Sequence, residues 1–109
     1  MRRHLILVVR CMPRDLNKLL SLVDDEESYV AFIAALGNDY AEERDIERTH
    51  PPVPYIAGAL GWQHGSIDAF LEAASAWGES TFDNPKLNPQ GINPWQRCAR
   101  ILYAGKYYE

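Results

Sequence analysis

The chain has 109 residues, 47% of them hydrophobic, and eleven Lys and Arg against fifteen Asp and Glu give a net charge of −4. A single domain of this length buries a core without a metal or a disulfide framework, and its negative balance repels phosphate backbones on average. The two cysteines, Cys11 and Cys98, lie far apart in apolar settings and read as small buried hydrophobes.

Arg2, Arg3 and His4 precede the apolar run Leu5 to Val9 and imitate a secretory leader. The run is too short for a leader core, and Arg10 and Arg14 follow where small residues would mark a cleavage site. No segment approaches the length of a membrane span, so a cytoplasmic protein is expected. Residues 1–12 read as an N-terminal arm on a single helical domain over 13–109. Met12 is an alternative natural start; losing Arg2, Arg3 and Arg10 would move the charge from −4 to −7.

Pro13 opens a short helix with Leu16, Leu19, Leu20 and Val23 on one face. Asp24, with Glu27 three residues on, resembles a capping box for a second helix carried to about Arg48. Tyr29, Phe32, Ile33, Leu36 and Tyr40 form its buried stripe, and Gly37 and Asn38 weaken its middle by about 1 kcal/mol relative to alanine. His50-Pro51-Pro52-Val53-Pro54 stops it, and Pro54 opens a short helix from Tyr55 to Leu60, closed by Gly61.

The best-marked element follows. Ser66 caps a helix in which Ile67, Phe70, Leu71, Ala74 and Trp77 share a stripe, and Gly78 is placed to end it. A loop from Glu79 to Ile92 precedes a last helix capped by Asn93 and opened by Pro94. Its stripe is Trp95, Cys98, Ala99 and Leu102, with Gly105 as the stop. The expected fold is all-α: a small single-domain bundle of four to five helices with a long loop before the last. Its expected core is Trp62, Ile67, Phe70, Leu71, Trp77, Trp95 and Leu102, the three indoles converging on one interior.

Ala57, Gly61 and Ile67 have the spacing of a helix-turn-helix corner, with Leu60 and Phe70 at buried positions. The second helix of that unit offers Gln63, His64, Ser66, Asp68 and Glu72 and no cation, and no Lys or Arg occurs from Thr49 to Pro85. Repulsion from phosphate therefore disfavours nucleic acid, and a DNA-binding regulator is only an alternative. Asp68 and Glu72, one turn apart, could divide acid and base roles in a cleft under the 79–92 loop, which makes a small hydrolase-like enzyme the weakest alternative. His4, His50 and His64 are scattered, and no phosphate-cradling loop or nucleophile elbow occurs, so no catalytic residue, metal or cofactor is expected. Arg97, Arg100 and Lys106 approach the end of the last helix, where its dipole favours cations, and together with the acidic second helix they could also form an internal ion-pair seam.

Between Asp24 and Glu47 nine acids face a single base, Arg44. Capping absorbs the first four acids. Asp39, Glu42, Glu43, Asp45 and Glu47 are left as the expected binding surface, an acidic face that would steer toward a basic protein partner. The protein reads best as a protein-protein interaction module.

Trp62, Ser66-Ile67, Phe70-Leu71-Glu72-Ala73, Ala76-Trp77, Pro94-Trp95, Ala99, Ile101-Leu102, Lys106 and Tyr108-Glu109 together resemble a family of small uncharacterised bacterial helical proteins, over roughly residues 23 to 109. The resemblance implies no established activity. Some similar small acidic helical proteins lie beside toxin genes as immunity factors, and that association is all the likeness implies; joined to the acidic face, it makes an immunity-type inhibitor of a basic effector one form the interaction module could take. His64, where asparagine is commoner, and the arm 1–11 depart from the family pattern.

Overall fold

The computed structural model describes residues 15–49 and 60–108. Four helices run through them: α1 (Leu16–Ser21), α2 (Glu26–Thr49), α3 (Ile67–Ser80) and α4 (Pro94–Tyr107), with no strand among the described residues. The fold is all-α, as expected. The arm with Cys11, the expected helix opening at Pro13, the expected stop over residues 50–54 and residues 55–59 of the expected short helix lie outside the described residues; Leu60, its expected last residue, is described.

The helix starts are set by side-chain caps. Asp15 Oδ1 accepts from the Lys18 N–H at 3.1 Å to start α1. At α2 the cap is Asp25, one residue later than the expected Asp24: its Oδ1 accepts from the Ser28 N–H at 2.8 Å. The Ser28 hydroxyl oxygen returns the favour to the N–H groups of Asp24 and Asp25, at 3.0 and 3.1 Å. Ser28 therefore does what Glu27 was expected to do, because the third helical position is counted from the true cap. Ser66 caps α3, and Asn93 caps α4 through the N–H groups of Trp95 and Gln96.

Helix α4 is the hub. It packs on α1, α2 and α3; α1 also packs on α2, whereas α2 and α3 do not pack on each other. Polar contacts fix this arrangement. Asn93 Nδ2 donates to the Asp24 carbonyl, and Gln96 Nε2 donates to the carbonyls of Leu20 and Val23 that end α1. Arg97, expected near the C-terminus of its own helix, instead serves that of α3. Its guanidinium donates to the Gly78 carbonyl and the Thr81 hydroxyl and lies 5.2 Å from the Trp77 ring centre. The dipole argument holds for the neighbouring helix, because Arg97 sits in the first turn of α4 where α3 ends beside it.

Two expected helix stops lie inside helices. Gly78 is within α3, against Ile101, and Gly105 is within α4. At Gly105 a Cβ would stand 2.7 Å from the Phe70 ring and 2.8 Å from the Phe70 carbonyl oxygen, so this glycine permits the crossing of α3 and α4. Buried Ala73, Ala74, Ala99 and Ala104 serve the same close packing.

That packing corrects the expected core. The buried cluster is Leu16, Leu20, Val23, Ala31, Phe32, Ala35, Leu36, Trp62 and Ala99, with Phe70, Leu102 and Tyr103 against it. Ile67 is 81% exposed, Leu71 54%, and Trp95 and Cys98 are also exposed. The three indoles do not converge: Trp62 is buried, Trp77 is half-buried beneath Arg97, and Trp95 lies against Tyr29 with ring centres 5.6 Å apart. The physical reason is that α3 presses its small residues on α4, which turns its larger apolar side chains to the edge of the contact.

Candidate functional site

Because α2 and α3 each pack on α4 but not on each other, an open groove of about 510 Å³ lies between them. Ile33, Gly37 and Tyr40 of α2 form one wall, Ile67, Phe70 and Leu71 of α3 the other, and Leu36, Trp62 and Leu102 also line it. Arg44 and His64 supply the polar edge. Its size is that of a ligand or side-chain seat, and its lining is predominantly apolar.

The groove is shaped by segment 60–66, which has no helix and is held from both sides. On the α2 side, Glu43 Oε1 accepts from the N–H groups of Leu60 and Trp62 at 2.9 and 3.3 Å. Gly61 between them has φ of +90°, a conformation open to glycine, which lets its neighbours' N–H groups turn toward one oxygen. On the α4 side, the Gln63 N–H donates to the Lys106 carbonyl at 2.9 Å. His64 Nε2 lies 2.6 Å from the Tyr108 carbonyl oxygen, a contact that requires the proton on Nε2. The Tyr40 hydroxyl donates to the Gly65 carbonyl at 3.0 Å, and Arg44 stacks over the Tyr40 ring.

Beneath the groove is a buried polar cluster. Asp39 Oδ2 accepts from the Trp62 indole Nε1 and from Lys106 Nζ, each at 2.9 Å, and Lys106 stands 5.7 Å from the Trp62 ring centre. The ring also meets Tyr40 edge-on at 4.9 Å and Phe70 at 5.9 Å. Because one oxygen, Asp39 Oδ2, takes both the indole N–H and the ammonium group, the ion pair locks the indole in place. No side-chain nitrogen or oxygen buried among the described residues lacks a hydrogen-bond partner.

The expected acidic surface is therefore divided. Asp39 and Glu43 are 5% and 4% exposed and point inward, which corrects their placement on an outer face. They lie in register with Phe32 and Leu36 on the inner stripe of α2, at spacings of four, three and four residues, and that periodicity was the available signal. Glu42 and Glu47 are half-buried, and Asp45 is exposed and bonded to Arg48 at 2.6 Å. Lys106 makes one pair of the ion-pair seam expected between the last helix and the acidic second helix, and its partner is Asp39.

Of the helix-turn-helix residues, Ala57 lies outside the described residues, and exposed Ile67 does not lock one helix onto another. Asp68 and Glu72 are exposed on α3. Hydrogen bonds from the Ser66 hydroxyl and from the Ala69 N–H hold the Asp68 carboxyl below its ordinary range, as suits a carboxylate at a helix N-terminus. Among the described residues no cluster of His, Cys, Asp and Glu could hold a metal ion, and no helix is long and apolar enough to cross a membrane.

A protein family described as a family of unknown function, DUF7660, matches residues 25–109. Neither the comparison with curated proteins nor that with solved structures found a match.

Proposed function

The chain belongs to that family, and from this premise we propose that it is a protein-protein interaction module whose docking seat is the groove between α2 and α3. The observation that carries the reading is the exposure of Ile33, Ile67 and Leu71 around an apolar groove between helices whose backbones stand apart. Large apolar side chains gathered at one concave place, with polar groups at the edge, are the usual mark of a binding surface. The acidic-face version of the reading, with an immunity-type grip on a basic effector, retains only Glu42, Asp45 and Glu47. Its two best-placed carboxylates are occupied in holding segment 60–66 and Trp62.

A photo-reactive phenylalanine analogue at position 71, in the cells that make the protein, tests this. A discrete protein adduct is expected from position 71 and none from position 86 in the loop between α3 and α4. No adduct from position 71 would remove the proposal.

A further inference from the structure

The outer face of α2 carries a pattern that the groove alone does not explain. Glu26, Val30, Ile33, Gly37, Ala41, Arg44 and Arg48 follow one another at spacings of 4, 3, 4, 4, 3 and 4 residues, a single stripe along the helix. All are exposed except Val30, which is half-buried. The spacing reads the same from either end, and its centre is Gly37. A Cβ on Gly37 would meet nothing within 4 Å among the described residues, so no contact between them accounts for a glycine in the middle of this 24-residue helix. Glycine there weakens the helix but lets another backbone come close.

We propose that the occupant of the groove is a second copy of this chain, its α2 lying antiparallel to the first with Gly37 over Gly37 on a two-fold axis. This rests on the reading of the groove as a protein-binding seat. Two-fold symmetry then pairs each stripe residue with its mirror position: Ile33 with Ala41, Val30 with Arg44, and Glu26 with Arg48. A large side chain meets a small one beside the glycines, and an acid meets a base at each end. The helix dipoles also run in opposite senses, so each acidic N-terminus lies beside the partner's basic C-terminus. Exposed Ile67 and Leu71 on α3 flank the incoming helix. Arg48 is held by Asp45 in the free chain and Glu26 also interacts within its own chain, but exposed surface pairs of this kind exchange partners readily.

Light scattering and sedimentation across a concentration series test the proposal. The wild-type chain is expected to approach twice its 12.4 kDa mass. Gly37→Leu is expected to be monomeric with an unchanged helical spectrum, since space around that position is open among the described residues. Glu26→Arg and Arg48→Glu should each weaken the dimer roughly tenfold, because each reversal places like charges together twice in a two-fold interface, and the double reversal should restore it. A wild-type monomer at all concentrations, a dimeric Gly37→Leu, or no rescue by the double reversal would overturn it. The photo-adduct at position 71 separates the two readings. An adduct of two chains supports both, one of any other mass leaves the groove reading and removes the second copy, and none removes both.

Discussion

Trp62 Nε1 donates to Asp39 Oδ2 at 2.9 Å, and Lys106 Nζ reaches the same oxygen from the opposite helix at the same distance. This one carboxylate oxygen joins α2, the groove floor and α4. The side chains of Lys106 and Asp39 are only 11% and 6% exposed, so removing one partner strands the other charge away from water. Lys106→Ala is expected to destabilise the fold by about 3–5 kcal/mol, whereas Asp39→Asn combined with Lys106→Met should recover part of that loss. Urea denaturation of the wild type and the two variants checks both expectations.

Glu43 tests how segment 60–66 is held. Glu43→Ala leaves the buried N–H of Trp62 and the half-buried N–H of Leu60 without their acceptor, and a loss on the order of 1–3 kcal/mol follows for each donor left dry. Glu43→Gln keeps an acceptor oxygen and should be milder. Hydrogen exchange at the two amides is the direct measurement, with both protected in the wild type and released in Glu43→Ala.

Two helical glycines should respond to alanine in opposite ways. Gly37→Ala gains about 1 kcal/mol of helix propensity and meets no clash among the described residues, so the folding stability of the isolated chain should rise. Gly105→Ala gains the same propensity but drives a methyl group into the Phe70 ring and its carbonyl oxygen. The carbonyl belongs to helix backbone and cannot swing aside, so overpacking of about 1–3 kcal/mol prevails and stability should fall. Denaturation midpoints at low protein concentration compare them.

Leu71→Ser separates binding from folding. The side chain is half in solvent, so the thermal midpoint should shift little, while the adduct formed by a photo-reactive residue placed at position 67, on the same groove wall, should disappear. A large loss of stability would mean that Leu71 belongs to the core after all.

Acid and alkali should act on different groups. Hydrogen bonds from Ser28 hold the Asp25 carboxyl below its ordinary value of 3.8, and Asp68 is lowered by Ser66 and Ala69. A folded-state value below the unfolded one contributes stability that is full above about 3.8 and is lost as pH falls through the lowered value. Asp25→Asn should therefore flatten the acid limb of a stability profile. Burial raises the phenols of Tyr29 and Tyr103 above 10, so their contribution is full below 10 and is lost as pH rises through the raised values. Ultraviolet titration should show tyrosine ionising later than in a short peptide.

The four described helices were legible in the sequence, as were the starts of α3 and α4 and, to within one residue, that of α2, because a cap acts on amides two or three residues away; α1, expected from Pro13, begins at Leu16 behind its cap Asp15. Asn93 with Pro94, Ser66, and the acid-rich start of α2 are all local signals of that kind. The all-α class and the membership of a family of unknown function were legible too. Which side of each helix faces inward was not. A hydrophobic stripe marks the large side chains, but the close crossing of α3 on α4 selects the small ones, Ala73, Ala74, Ala104 and Gly105, and leaves Ile67 and Leu71 outside. Likewise a carboxylate reads as solvated until its donors are known. Those of Asp39 and Glu43 lie 17 to 67 residues away along the chain, so only the tertiary structure could bring them together.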